Sequence, residues 1–347
     1  MNILQAIKVL GTAMISFAGA LLLTPFLSSI LAKYQFNKQI RAAADTPIYS
    51  ELHKNKAGTP TGGGVIVWVT VLGLAAFFWL LDMLFDGAFT YFNFIDRAQT
   101  YLPLFAMLVA ALIGLFDDFL GILKIGPNGG GLKIRYKLII YFIIALVGAL
   151  WFYYRLDWDV LSIPLVGNFS VGWWYVPIFI FIIIASAFSA NETDGLDGLA
   201  GGVLLFAFAA LTVVAFALER YQLATFGGAV IGALLAFLWF NIYPARFFMG
   251  DTGSMSLGIT MGVIAMLTNT VFLLPFFAPI LVLESVSVLA QLLSKKFLGR
   301  KIFLSTPIHH HFEAKGWHET RVTMRFWIIS VIFMALGLII FFLNRFL

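Results

Sequence analysis

ATFGGAVIGALLAFLWFNIYPARFFMGDTGSMSLGITMGVIAMLTNT, residues 224–270, sets one short polar stretch between two apolar ones. The first apolar run, 224–242, carries no charge. It reaches the length of roughly 20 residues that a helix needs to cross about 30 Å of hydrocarbon. The second, 254–270, has similar length, and between them Arg246 and Asp251 are the only charged side chains. The same reading outward gives ten runs in all: 9–33, 62–85, 101–120, 138–154, 174–190, 199–217, 224–242, 254–270, 271–293 and 326–343. Pro275 and Pro279 would kink or break the ninth, and only Asn269 and Thr270 separate it from the eighth, so nine spans is the alternative count. The N-terminal stretch has some likeness to a signal peptide, but its apolar run continues to spanning length.

Composition agrees. Of 347 residues 61% are hydrophobic and 11% charged. That is less than half the charged share of a soluble domain. The absence of cysteine excludes disulfides, thiolate metal sites and a cysteine nucleophile. No repeat or linker divides residues 1–347, which read as one membrane-embedded domain in contact with the lipid bilayer. The net charge of +5 is explained by topology, not by nucleic acid. If the segment after the first span is cytoplasmic, the far side receives only Lys8, Arg97, Arg155, Arg220 and Arg345, leaving 17 of the 22 Lys and Arg inside. The expected fold is an all-α polytopic membrane protein of about ten transmembrane helices, with both termini outside.

Every polar cluster with chemical potential falls on the positively charged, cytoplasmic face. Asp117 and Asp118 end the third span in GLFDDFLG, where carboxylates beside hydrocarbon are costly unless they act or simply reach water. Adjacent helical residues point about 100° apart, so one of the pair can face a metal or phosphate while the other has a different task. In NETDGLDGLAGG, Asn191, Asp194 and Asp197 recur every third residue and share one face if helical. Two Asp-Gly pairs otherwise mark ordinary turns. Asp251 lies between Gly250 and Thr252 before a helix start, where it could cap the helix or share a Mg²⁺ ion with substrate phosphate.

TPIHHHFEAKGWHE supplies His309, His310 and His311 without HExxH spacing, so a zinc hydrolase is disfavoured and phosphate contact is the better reading. KAGTPTGGG joins Lys56 to Thr59, Thr61 and a Gly-rich turn, yet is not a Walker A loop because the lysine precedes the glycines. Acids, bases, amides and glycines at one membrane boundary suit an anionic ligand with Mg²⁺, one partner in water and one in lipid. Phosphoryl transfer needs mainly positioning and charge neutralisation, which these residue types supply.

GTPTGGG (58–64), FDDF (116–119), NETDGLDGLAGG (191–202), NIYPARFFMGDTGS (241–254), LVLESVSVLAQ around Glu284 and TPIHHHFE (306–313) together resemble the phospho-N-acetylmuramoyl-pentapeptide transferases. The resemblance spans nearly the whole chain. It implies a bacterial inner-membrane, multi-pass enzyme that uses Mg²⁺ to move phospho-MurNAc-pentapeptide from UDP-MurNAc-pentapeptide to undecaprenyl phosphate, giving lipid I and UMP for peptidoglycan. It also implies an active site at the cytoplasmic face and a homodimer.

By position, the resemblance makes Asp251 the Mg²⁺ ligand and sets Asp117 and Asp118 near the lipid phosphate, with Asp117 as candidate base. Asn191, Asp194, Asp197 and Asn241 would line the nucleotide-sugar site, and Phe248 would stack on uracil. His309 and His310 would contact phosphate with His311 beside them, and Lys56, Thr59 and Lys137 would hold substrate. Glu284 would shape the kinked helix. The sequence departs from the family pattern at Gly62, Gly121 and Glu192, where methionine, lysine and an apolar residue are usual. Two other functions compete: a polyprenyl-phosphate GlcNAc-1-phosphate transferase, and a secondary transporter built on the broken ninth span, whose site would lie near the bilayer midplane.

Overall fold

The structure is a computed structural model in which residues 2–34, 58–85, 89–126 and 130–346 are described. The chain runs α1 (Asn2–Lys33), α2 (Val65–Leu84), α3 (Tyr101–Ile122), α4 (Ile134–Arg155), β1 (Val160–Ile163), β2 (Gly167–Ser170), α5 (Tyr175–Thr193), α6 (Leu199–Ala217), α7 (Tyr221–Asn241), α8 (Gly250–Leu267), a short α9 (Leu274–Phe277), α10 (Pro279–Leu298), α11 (Ile308–Ala314) and α12 (Glu319–Phe346). Eight of these helices are long and apolar enough to cross a membrane, and the bent pair at 271–298 makes nine. The chain is an all-α, multi-pass membrane protein, with one antiparallel hairpin that pairs Val160 with Ser170 and Ile163 with Gly167.

The expected run at 254–270 is the helix α8, but α8 does not read as a lipid-facing span. All of its residues except Asp251 are buried, including Ser254, Ser256 and Thr260. Those three hydroxyls donate to carbonyls one turn back, at 3.0 Å to Gly250, 2.7 Å to Thr252 and 2.6 Å to Ser256. They are therefore satisfied inside the helix. A helix that meets other helices on all sides has no need of a lipid-compatible surface. Small residues there serve close packing instead.

The expected break in the ninth run is present: Val271–Phe277 and Pro279–Leu298 diverge by 94°. Pro279 at the start of α10 donates no backbone N–H and cannot continue the preceding helix.

Helices α3 and α5 pack on α8, while α1 crosses α7. Glycines set how closely these axes approach, Gly114 and Gly232 among them. A Cβ at Gly114 of α3 would fall 2.5 Å from the Asp251 carbonyl oxygen, and one at Gly232 of α7 would fall 2.0 Å from that of Ala13. The end of the bundle that holds Lys8 is closed by polar contacts. Buried Lys8 donates to the Asn93 carbonyl (3.1 Å) and to Gln222 Oε1 (2.6 Å), and Asn269 Oδ1 accepts the Ser162 N–H (3.0 Å), which docks the hairpin on the end of α8.

Gly114→Ala must push α3 off α8, an overpacking cost of about 1–3 kcal/mol. The thermal midpoint in detergent should fall by several degrees. Gly73→Ala, where an added Cβ meets nothing within 4 Å, should leave it unchanged or raised. Equal midpoints for the two variants would show that the α3–α8 approach is not tight.

Candidate active site

The sequence clusters meet at one end of the bundle because helices α3, α5 and α7 end there while α4, α8 and α12 begin there. Asp117, in the last two turns of α3, and Lys137, in the first turn of α4, form an ion pair at 2.7 Å, and the Asp117 Oδ1 accepts the Leu132 N–H at 2.5 Å. The same Lys137 ammonium pairs with Asp251 Oδ2 in the first turn of α8. Asn191, at the end of α5, donates Nδ2 to Asp251 Oδ1 (2.6 Å) and to Ser254 Oγ (3.1 Å). One cation and one amide thus hold two carboxylates from different helices.

Asp118 turns the other way. Its Oδ1 and Oδ2 accept the backbone N–H groups of Asp251 (3.1 Å) and Thr252 (3.0 Å). These are two of the donors left unsatisfied at the start of α8. The expectation that neighbours on a helix take different tasks is realised as one acid facing Lys137 and one facing a helix terminus.

The 191–198 segment also braces this terminus. Asp194 Oδ2 accepts the Gly250 N–H (2.9 Å), and Asp197 Oδ2 accepts the Ala245 N–H (2.9 Å). Asn241 accepts the Gly198 N–H (3.1 Å) and donates to the Phe247 carbonyl (2.8 Å), so it ties this segment to the 242–249 loop. That loop is strapped by the Gly-rich segment: the Phe248 N–H donates to Pro60 O, and the Gly63 and Gly64 N–H groups donate to Phe248 O and Met249 O, each at 2.8 Å. Thr59 is half-buried at the edge of the strap. Phe248 is only 3% exposed, so stacking on a base would need the strap to open. Lys56 lies outside the described residues.

The histidine motif forms α11 against α10. His309 Nδ1 lies 3.0 Å from Glu284 Oε2, both side chains fully buried, and a Cβ on Gly195 would come within 2.2 Å of His309 Nε2. The motif therefore abuts the acidic segment. His310 Nδ1 meets Glu313 Oε2 at 2.6 Å. His311 Nδ1 accepts the Leu304 N–H at 3.1 Å. Burial, with the Lys315 charge nearby, holds the His311 imidazole below its ordinary value, which favours the neutral acceptor form.

Sequence reasoning misses two partners although their spacing announces them. Ser254 is three residues beyond Asp251 and shares with it the Asn191 amide, and Glu313 is three beyond its partner His310, each pair on one helical face. The Leu132 N–H carries no sequence signal.

As a cation site, the cluster offers carboxylate oxygen, the donor a hard ion prefers. The Lys137 ammonium already sits as a positive group between Asp117 and Asp251. Among the described residues, no three His, Asp or Glu side chains converge as a closed metal cage. A divalent ion here would have few protein ligands and would complete its shell from water and ligand phosphate, which is the habit of Mg²⁺ and not of a structural zinc.

Residues 100–269, which span Asp117 to Asp251, match the family described as Glycosyl transferase family 4. Over nearly the full length the chain is similar to curated bacterial proteins named phospho-N-acetylmuramoyl-pentapeptide-transferase. It is 36% identical to that of Anoxybacillus flavithermus over 333 residues, covering 96% of this chain and 97% of the relative. It is 38% identical to that of Acetivibrio thermocellus, covering 93% and 92%. For that of Bacillus subtilis the figures are 34%, 96% and 97%. With identity of 34% to 38% over more than nine-tenths of its length, the chain belongs to the phospho-N-acetylmuramoyl-pentapeptide transferases.

Proposed function

We propose that this protein transfers phospho-MurNAc-pentapeptide from UDP-MurNAc-pentapeptide to undecaprenyl phosphate in the bacterial cytoplasmic membrane, forming lipid I and UMP. The observation that carries the chemical part is the Asp117–Lys137–Asp251 bridge braced by Asn191. It concentrates both signs of charge at one end of a membrane bundle, within reach of a lipid anchored beside it. That end faces the cytoplasm, where the water-soluble nucleotide sugar is found and where 17 of the 22 Lys and Arg fall.

The attacking group is the phosphate of the lipid. A phosphate monoester has a second pKa of about 6, so at neutral pH it is mostly ionised and gains little from a base. Asp117 therefore acts by fixing Lys137, whose ammonium offsets charge on the phosphates as the bond to UMP breaks; His309 and His310, buried against Glu284 and Glu313, would add to this only if α11 shifts to uncover them. Asp118 positions Asp251 by holding the first turn of α8. Asp194 and Asp197 set the loop that borders the nucleotide side. Mg²⁺, held by Asp251, would supply further charge neutralisation at the diphosphate.

UMP formation from UDP-MurNAc-pentapeptide by the detergent-purified protein should require both undecaprenyl phosphate and Mg²⁺, and should cease with EDTA. UDP-GlcNAc should not substitute. UMP release from UDP-GlcNAc at a comparable rate would move the chain to the other sugar. A trapped aspartyl-phosphosugar formed without the lipid acceptor would replace direct attack by a covalent route.

Asp251→Ala and Lys137→Met should each lower the rate at least about a hundredfold, and Lys137→Met, which leaves Asp117 and Asp251 uncompensated, should also lower the thermal midpoint. Asp118→Asn opposes an amide N–H₂ to a backbone donor. It should lower the midpoint as well, by an amount corresponding to about 1–3 kcal/mol. A thermally unaltered Asp118→Asn would remove its positioning role.

A further inference from the structure

A second charged cluster lies on the outer side of α12, away from the acids. The face of α12 that meets the site is marked by Thr323, whose hydroxyl donates to Asp197 O (3.1 Å), and by Trp327, whose Nε1–H donates to Gly198 O (3.1 Å). Arg321 and Arg325 are one turn apart on a different, exposed face that continues into exposed Ile328 and Ile332. Both guanidiniums lie against one indole, with their carbons 4.6 Å and 4.4 Å from the centre of the Trp317 ring. Phe312 stacks on Trp317 at 4.8 Å and 25°, so the two cations crowd the indole surface that Phe312 leaves uncovered.

This arrangement is electrostatically costly as it stands. Cation–π attraction at an exposed site is too weak to offset much charge repulsion. Two like charges are held side by side, and among the described residues neither arginine forms an ion pair with a carboxylate. Arg321 also lies in the first turn of α12, with Glu319, where the helix dipole is positive and a basic side chain is unfavourable. An anion at this point would relieve both terms. A planar guanidinium fork matches phosphate oxygens, and a second fork beside it can take the same phosphate. The cluster sits where the apolar exposed face of a membrane-spanning helix gives way to polar residues, the level at which tryptophan and lipid headgroups are found.

We propose that Trp317, Arg321 and Arg325 form a binding site for the phosphate of an anionic phospholipid headgroup, separate from the catalytic cluster. The indole fixes the two guanidiniums as a preformed pair, and the acyl chains lie along the exposed apolar face of α12. Because the opposite face of the same turns holds the carbonyls of Asp197 and Gly198, an occupied headgroup site stiffens the helix end that braces the acidic loop.

Native mass spectrometry of the protein in neutral detergent, titrated with phosphatidylglycerol or phosphatidylcholine, tests this. The unaltered protein should retain phosphatidylglycerol in preference to phosphatidylcholine. The double variant Arg321→Gln, Arg325→Gln should bind phosphatidylglycerol about tenfold more weakly, while Lys295→Gln, Lys296→Gln, which removes two charges from the end of α10, should bind as before. Arg321→Lys, Arg325→Lys keeps the charge without the fork and should fall between. UMP release should persist in the glutamine variant, which shows that it is folded. The proposal is overturned if that variant holds phosphatidylglycerol as the parent does, if the α10 variant loses as much, or if the two lipids are retained equally.

Discussion

One lysine joins three helices. Lys137 enters from the first turn of α4 and meets Asp117 of α3 and Asp251 of α8, so a single ammonium compensates two carboxylates that would otherwise repel across a helix crossing. Such a pair set at the edge of hydrocarbon is stabilising only when every partner stays in place, because removal of one leaves an uncompensated charge. The remaining contacts of the site can be understood as keeping those partners in place. Asn191 fixes the second oxygen of Asp251, the Leu132 N–H fixes the second oxygen of Asp117, and Asp118 and Asp194 hold the backbone from which Asp251 projects.

The position of Asp251 explains why the central helix looks as it does. A carboxylate in the first turn of α8 gains from the helix dipole, as does Asp118 from the two N–H groups it accepts. That geometry requires α3 to lie against α8 with almost no side chain between, which Gly114 permits. Helix α8 is then enclosed by α3 and α5 and can carry serines and threonines at depth, provided each hydroxyl finds an acceptor: Ser254, Ser256 and Thr260 use their own backbone and Thr252 the Ala111 carbonyl of α3. Function at one end of the helix and polarity along its length thus have a common cause in close helix packing.

Residue types make most of this legible, and contacts make the rest invisible. Apolar run length locates the long helices closely at most ends, because bilayer thickness sets a minimum that few other structures reach. The run at 254–270 reads as one more span because composition cannot tell a helix facing lipid from one facing other helices. The hairpin of β1 and β2 has no such signature, since two short strands between two long helices leave too weak a pattern. At the site, the split between Asp117 and Asp118 follows from helical geometry, whereas the three-residue spacing of Asn191, Asp194 and Asp197 is not that of one helical face: α5 ends at Thr193 and α6 begins at Leu199, so Asn191 meets the Asp251 side chain while Asp194 and Asp197, in the turn between, hold backbone N–H groups.

Sequence logic reaches its limit where a partner comes from a distant segment. Glu284 can be recognised as an intramembrane acid that needs a reason. That the reason is His309, in a separate helix, depends on the 94° break that turns α10 toward α11. The break also bears on the transporter alternative. An acid in a broken helix suggests a midplane site only if it stands alone there, whereas Glu284 is bound to a histidine whose ring abuts Gly195, next to the residue that holds Gly250. The intramembrane acid belongs to the same end of the bundle as the other carboxyl groups, so the break brings α11 to the site and does not make a second one.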